Sequence, residues 1–410
     1  MSQIPSQKIQ LTEFEDELCK DLLQTVHDNN LNTVLRIAGG WVRDKLLGLE
    51  SHDIDIALDN IMGEEFAKFF CQNKSTSSIG KIKANPEASK HLETACVRYK
   101  GIDLDFVNLR AEDYSEDSRI PTIKIGTPLE DALRRDLTIN SMFYNINTKE
   151  IEDFTGFGLY DLQQKIARTP LEPNSTFLDD PLRVLRTIRF AARFNLTILS
   201  EVQQAIESKS IFTCLLHKIS RERIAKEYSL MVQGKNHMRS LQMLYNSGLF
   251  PVIFKIPDGY PDLLNEGYNL ISKIHRPSND NNFYIYTAGI LAYYDKEITI
   301  KKNKKDMILY EYITLESLKM SHLNSQVVCG ILRNVYKCIE NFKEFKVLEF
   351  AEIVREIKEH WELCAIIAGH MMFEDPYEAE EKICALAVAV RAWNIDRCFE
   401  DKPLLNVRTR

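Results

Sequence analysis

The stretch Asp53-Ile54-Asp55-Ile56-Ala57-Leu58 alternates acidic and apolar residues before closing on an apolar run. A period of two is the mark of a half-buried strand, with one face in a core and the other turned outward. Both carboxylates therefore leave the same face, and two like charges side by side cost free energy unless a cation lies between them. Val34-Leu35-Arg36-Ile37-Ala38 reads as a second strand, stopped by Gly39-Gly40, and Trp41 to Leu47 as a helix closed by Gly48. Ile102-Asp103-Leu104-Asp105-Phe106-Val107 repeats the alternation, which could bring Asp105 to the same face as the first pair. Ala111 to Pro121, polar and turn-rich, reads as a loop.

From about residue 159 the texture turns helical. Leu182 to Phe194 and Arg221 to Val232 read as helices, and the remainder to Arg410 holds amphipathic stretches with little strand signal. The run Lys301-Lys302-Asn303-Lys304-Lys305 reads as a solvated loop. At about 150 residues per domain, a chain of 410 residues suggests several domains. The formal net charge is −7, which excludes a protein held on nucleic acid by bulk positive charge but leaves room for a local basic groove. The nine cysteines are scattered without a Cys-x-x-Cys pair, so they give neither a zinc spacing nor a disulfide framework and fit a reducing compartment. No apolar run approaches the ~18 residues of a membrane span. Glu13, Glu15, Asp16 and Glu17 are wrong for a secretory signal or a transit peptide. The expectation is a soluble, cytoplasmic protein.

Two or three carboxylates on one strand face suit a hard divalent cation such as Mg²⁺, which prefers oxygen ligands. An Asp-x-Asp alone is weak, because many lie in surface turns, but this one has a setting. Upstream, Gly39-Gly40 joins a strand to a helix, where backbone N–H groups can approach a phosphate. Arg43, in the first turn, can reach the same anion. Together these residues suggest a triphosphate and a metal.

The phrase Gly39-Gly40-Trp41-Val42-Arg43-Asp44, with Leu47-Gly48 and Asp53-Ile54-Asp55, resembles the opening motif of the class II tRNA nucleotidyltransferases, the CCA-adding enzymes. Arg134-Arg135-Asp136-Leu137-Thr138-Ile139-Asn140 resembles their second motif, and Gly158-Leu159-Tyr160-Asp161-Leu162 with Arg168-Thr169-Pro170 their third. Asp179-Asp180-Pro181-Leu182-Arg183 is similar to the fourth, and Lys218-Ile219-Ser220-Arg221-Glu222-Arg223-Ile224 to the fifth. The segment from Asp105 to Arg110 looks closer to the eukaryotic, particularly fungal, branch.

The resemblance implies an α+β fold: a polymerase-β-like nucleotidyltransferase head at 1–150, a helical neck with a nucleotide-selecting helix at 151–235, a helical body at 236–340 and a helical tail at 341–410. It implies catalytic Asp53, Asp55 and Asp105, with Asp53 and Asp55 as metal ligands and Mg²⁺ as cofactor. It implies nucleotide contacts for Gly39, Gly40, Arg43, Arg135, Asp136, Asp180, Arg183, Arg186 and Arg189, with Asp136 near the ribose. Arg193, Arg221 and Arg223 are expected to be structural. The partners implied are CTP, ATP and the acceptor arm and 3′ end of tRNA, and the compartments are cytoplasm, with nucleus and mitochondria beside it. The oligomeric state stays open.

Asp180 and Arg183 are three residues apart, hence neighbours on one helix face. A carboxylate accepts hydrogen bonds and a guanidinium donates them. Cytosine and adenine each offer an amino donor beside an unprotonated ring nitrogen, which matches such a pair. Guanine and uracil offer a carbonyl beside an N–H, which does not. A matched bidentate contact is worth ~1–3 kcal/mol of discrimination. The plainer role for Asp180 is N-cap, with Pro181 at the first helical position, and the two roles can coexist. Asp179 stands where the family usually has Glu, thought to orient the arginine. Arg183, Arg186, Arg189 and Arg193 fall within about a 120° arc at ~100° per residue. The rivals are an enzyme adding only A or only the two C residues, a bacterial-type poly(A) polymerase, and an inactive RNA-binding chaperone. The segment Ala111 to Arg119, resembling the family's C-to-A switching element, argues against a CC-only enzyme. The short end from Asp401 to Arg410 and the acidic overall charge argue against a poly(A) polymerase.

Overall fold

The structure, a computed structural model, describes residues 8–51, 53–73, 95–113, 122–275, 280–302 and 305–401. They fall into two compact units, residues 1–211 and 212–410. In chain order the first contains α1 (Glu13–Asp28), β1 (Leu35–Ala38), α2 (Gly40–Leu46), β2 (Ile54–Leu58), α3 (Gly63–Asn73), β3 (Ala95–Tyr99), β4 (Ile102–Asn108), β5 (Arg110–Asp113), β6 (Thr122–Ile125), α4 (Pro128–Leu133), β7 (Phe143–Asn145), β8 (Glu150–Glu152), α5 (Gly158–Gln164), β9 (Ile166–Ala167), α6 (Pro173–Asp179), α7 (Leu182–Arg193), β10 (Thr197–Ile198) and α8 (Ser200–Ile206).

Six of these strands form one mixed sheet in the order β3-β4-β2-β1-β7-β8. Only β2 and β4 run parallel, and their register sets Ile54 against Leu104, Asp55 against Asp105 and Ile56 against Phe106. The alternation seen in the sequence thus sorts the two faces. On one, Phe106 meets Phe66 and Phe70 of α3 at ring-centroid distances of 5.3 and 5.7 Å, and Phe70 meets Tyr99 at 5.5 Å. Full burial of such a side chain contributes about 1.5–3 kcal/mol. On the other face Ala57 packs with Ala38, Leu109, Phe143 and Ala132 of α4, and Val107 lies against that cluster. Small residues let α4 sit close to the sheet, and Asp55 and Asp105 precede them on the same face.

The segment 111–121 differs from the loop expected. Residues 111–113 belong to β5, paired antiparallel with β6, while 114–121 lie outside the described residues. Helix α7 buries Val184, Leu185, Thr187, Ile188, Ala191 and Ala192 and keeps Arg186, Arg189 and Arg193 on its open side. It begins at Leu182, as expected, with Pro181 in the cap position rather than at the first helical position, and the Asp180 carboxylate accepts from the Leu182 N–H at 3.2 Å.

Helix α9 (Lys209–Lys218) spans the division between the units. The second unit continues with α10 (Arg221–Val232), α11 (His237–Asn246), α12 (Phe250–Ile253), α13 (Leu264–Ser272), α14 (Asn282–Leu291), β11 (Thr299–Lys302), β12 (Lys305–Ile308), α15 (Leu309–Tyr312), a π-helical turn at Ile313–Ser317, α16 (His322–Lys343), α17 (Val347–Ile357), α18 (Trp361–Met372) and α19 (Pro376–Ala392). Helix α18 is buried almost all round, the signature of a central helix. Arg221 is structural, as expected: its guanidinium donates to the carbonyls of Val252 (2.6 Å), Ile253 and Ser317 (2.9 Å) and so ties α12 to the π turn. Burial pulls its pKa down to about 10, and the charge of Glu222 offsets only part of the fall. The lysine-rich run at 301–305 is a hairpin rather than a loop, with residues 303–304 outside the described ones; Lys302 pairs with Glu316. Among the described residues no helix is long and apolar enough to cross a membrane.

Candidate active site

Asp55 on β2 and Asp105 on β4 stand side by side because their strands pair in that register. Asp53, just before β2, completes the group. One carboxylate oxygen from each of the three lies within 4.8 Å of the others. Burial pushes the Asp55 pKa up to about 6, the charges of Asp53 and Asp105 add to it, and Arg135 offsets part of the rise. Burial likewise raises Asp105, helped by Asp53. Three converging oxygen donors that repel one another in this way fit a hard divalent cation.

A cleft of about 830 Å³ opens beside this group and is lined by Gly40, Arg43, Asp53, Asp55, Arg135, Asp136, Asp180, Arg183, Arg186 and Arg189, all singled out in the sequence. Asp105 and Gly39 are not among its lining residues. The Gly39 N–H is spent on the Met142 carbonyl at 2.9 Å. The requirement for glycine is steric instead: φ is +62°, and a Cβ would stand 2.4 Å from Arg135 Nη1 and 3.0 Å from the Asn140 carbonyl oxygen.

Much of the remaining cleft lining is basic, and several of its arginines have fixed seats. Arg43 is buried beneath Phe190 and Phe194, with ring centroids 5.0 and 4.5 Å from its guanidinium carbon. It donates to Asp44 at 2.8 Å and to the Asn140 side-chain oxygen. Burial lowers its pKa although Asp44 sits beside it. Arg183, only 9% exposed, donates to the Thr176 carbonyl at 3.0 Å, so helix α6 holds it. Arg186 Nε donates to Asp136 at 2.7 Å. Asp136 itself is buried, and its second oxygen accepts from the Leu137 N–H (2.8 Å) and the Asn140 amide (2.9 Å). Burial alone would raise the Asp136 pKa, but Arg186 and Asn140 outweigh it and hold the carboxyl below its usual range. The structure therefore seats Asp136 under Arg186, with both oxygens engaged by the protein.

Sequence reasoning missed several residues here. Arg193, read as structural, lines the cleft and approaches Asp44 at 3.7 Å. Asn140 joins Arg43, Asp136 and Arg135. Asp131 on α4 is buried under Arg134 and Arg135. Its signal was available: Asp131 lies three and four residues before those arginines on one helical turn. Thr127-Pro128-Leu129-Glu130, a capping box with proline at the first position, announces that helix.

A sequence-family model described as "Poly A polymerase head domain" matches residues 35–168, and one described as "Probable RNA and SrmB- binding site of polymerase A" matches residues 195–260. A "CCA tRNA nucleotidyltransferase, mitochondrial" of Candida glabrata is 50% identical over 262 residues, which are 60% of this chain and 49% of that protein. Its counterpart in Saccharomyces cerevisiae is 48% identical over 263 residues, 60% of this chain and 48% of that protein. The chain thus spans about half the length of these two curated relatives. The "tRNA nucleotidyltransferase cca2" of Schizosaccharomyces pombe is 33% identical over 368 residues, 84% of this chain and 76% of that protein. Among solved structures, the "Thermotoga maritima CCA-adding enzyme complexed with tRNA_CCA" superposes with a TM-score of 0.65 at 20% identity, covering 94% of this chain and 86% of that one. That likeness bears out the α+β fold expected from the sequence.

Proposed function

The chain belongs to the tRNA nucleotidyltransferase family, and from that premise we propose that it adds C, C and A in turn to the 3′ end of tRNA from CTP and ATP, without a template. The observation that carries this reading is one cleft lined by Asp53 and Asp55 as well as by Asp180 and Arg183. The first pair suits metal-assisted phosphoryl transfer, and the second suits selection of a base. The 3′-hydroxyl oxygen of the tRNA bonds to the α-phosphorus of the bound nucleotide, the bond from that phosphorus to the bridging oxygen breaks, and pyrophosphate leaves.

Asp180 accepts from the exocyclic amino group of cytosine or adenine, and Arg183 donates to the unprotonated ring nitrogen beside it. The Thr176 carbonyl fixes Arg183 for that contact. A base of the wrong pattern leaves buried polar groups unpaired, which adds to its rejection. Arg43, Arg135, Arg186 and Arg189 supply the positive wall for the triphosphate, with Gly40 at its edge. Asp136 holds Arg186 to that wall, close to where the ribose is expected. Divalent cations held by Asp53 and Asp55 with Asp105 in support, Mg²⁺ in our reading, would supply a lowered pKa at the attacking hydroxyl and charge neutralisation at the leaving phosphate. The acceptor arm is read by shape and backbone, as expected for an RNA duplex. We take residues 1–150, 151–235, 236–340 and 341–410 as head, neck, body and tail. Relatives named mitochondrial support mitochondria as a compartment alongside cytoplasm and nucleus.

The test uses one tRNA lacking CCA, ending in C-C, or complete, incubated with Mg²⁺ and CTP, ATP or both and read at single-nucleotide resolution. Growth by three residues and then arrest is expected. Extension of only one trimmed form would make this a partial-activity enzyme, a long A ladder a poly(A) polymerase, and no extension a non-catalytic RNA-binding protein.

A further inference from the structure

Asp131 is 2% exposed and is not among the residues lining the cleft. Five donors converge on its two carboxylate oxygens. One oxygen accepts from Arg134 Nε at 2.9 Å, from Arg134 Nη2, and from the backbone N–H of Arg110 at 3.1 Å. The other accepts from Arg135 Nε at 3.0 Å and Nη2 at 2.8 Å, a two-toothed fork. Arg135 is held on its remaining sides as well: Nη1 donates to the Asn140 carbonyl at 2.9 Å, and the guanidinium carbon lies 5.0 Å from the Phe143 ring centroid. Both arginines line the cleft, with side chains 25% and 21% exposed.

We propose that Asp131 is a positioning residue for nucleotide binding: it holds Arg134 and Arg135 in fixed orientation at the triphosphate side of the cleft while touching no substrate itself. The inference rests on the nucleotidyl-transfer reading above and assigns a role to a residue outside the cleft. Two cations with one anion beneath them leave one net positive charge at the surface, and each guanidinium keeps N–H groups that Asp131 does not use. An arginine pinned in this way has surrendered its rotamer freedom before the ligand arrives, so less entropy is lost on binding. The effect is blind to the base, because neither arginine belongs to the Asp180–Arg183 pair. The bond to the Arg110 N–H also ties α4 to the start of β5, so the anchor is shared with the β5–β6 hairpin.

The sign of the effect separates positioning from two simpler roles. If Asp131 only diluted positive charge, Asp131→Asn would add a net charge and tighten nucleotide binding. If it only supported the fold, the variant would lose active fraction with the affinity of the remainder unchanged. Positioning predicts weaker binding despite the added charge. Calorimetric titration of CTP and of ATP into the full chain reads this without relying on turnover, and thermal melting reads the fold beside it. The Kd for both nucleotides should rise together, by about tenfold, with C and A still preferred over G and U. In a double-mutant cycle with Arg135→Lys, which keeps the charge but cannot fork, the two losses should overlap rather than multiply.

Unchanged or tighter binding in folded Asp131→Asn, or losses that multiply, would overturn the proposal. Should Asp131→Asn not fold, Arg135→Lys decides alone: a raised Kd supports the proposal and an unchanged one overturns it. A wild-type chain that binds nucleotide but extends no tRNA would sink the functional reading and leave this test in force. Failure of the wild type to bind either nucleotide would overturn both.

Discussion

The two walls of the cleft are built on opposite principles. On the sheet side, Asp53, Asp55 and Asp105 converge and repel one another, and Asp55 is pushed up to about 6 by burial and by its like-charged neighbours. On the helical side, four of the arginines have internal anchors of their own: Asp44 and Asn140 for Arg43, Asp136 for Arg186, and Asp131 for Arg134 and Arg135. The acidic wall is strained toward a ligand, whereas the basic wall is settled before one arrives. Substitutions on the first side should therefore cost activity without costing stability, and substitutions on the second should cost both.

The largest effect is expected from Asp53→Ala and Asp55→Ala. Each should lower nucleotide addition by at least about a thousandfold, because metal-ion stabilisation of the transition state is worth several kcal/mol. Nucleotide binding should stay measurable. Chelation of divalent ions should copy the loss in the wild type, and Mg²⁺ should restore it. Thermal melting of the metal-free variants should show no loss of stability, since each removes one member of a repelling group. Near-normal turnover in either variant would sink the metal assignment, and a fall in melting temperature would break the contrast between the walls.

A smaller effect is expected from Gly39→Ala. Its φ of +62° and the 2.4 Å approach of a Cβ to Arg135 Nη1 act together. Forcing a side chain into that conformation costs about 1–3 kcal/mol, and the displaced arginine would weaken nucleotide binding as well. Calorimetry and thermal melting on one sample should therefore move in the same direction. Weakened binding at full stability would mean that Gly39 acts through backbone contact with the ligand rather than through its neighbours.

The acidic wall could be read in the sequence because alternation at a period of two fixes which side chains share a face. Asp53, Asp55 and even Asp105 followed from it before any strand was paired. The arginine stripe of α7 was legible for the same reason, at helical spacing. The burial of the partners beneath the basic wall was not, although the spacing of Asp131 to Arg134 and Arg135 was there to read. A buried carboxylate and a solvated one look identical in a string of letters, so Glu130-Asp131-Ala132-Leu133-Arg134-Arg135 reads as an ordinary charged helix until α4 is seen pressed onto the alanines of the sheet. The two hairpins, β5–β6 and β11–β12, escaped because their strands carry Glu, Asp and Lys, which charged edge strands tolerate. Their apolar alternation is too weak to register.

The smallest expected effect concerns pH, where the walls differ in sign. Asp136 is held below its usual carboxylate range by Arg186 and Asn140, against the pull of burial. A carboxyl depressed in the folded chain contributes stability that is complete above the unfolded value of about 3.9 and is lost as pH falls through that value toward the folded one. In that window the unfolded chain binds the proton first, so stability must drop with pH. Asp136→Asn removes the pair and its share of the slope. Its stability should start below that of the wild type at neutral pH, decline less between about pH 5 and 3, and meet the wild-type curve once both carboxyls are protonated. Chemical denaturation at a series of pH values reads the difference. Parallel curves down to the lowest pH would mean that Asp136 titrates as it does in the unfolded chain, and the settled character of the basic wall would then rest on packing rather than on charge.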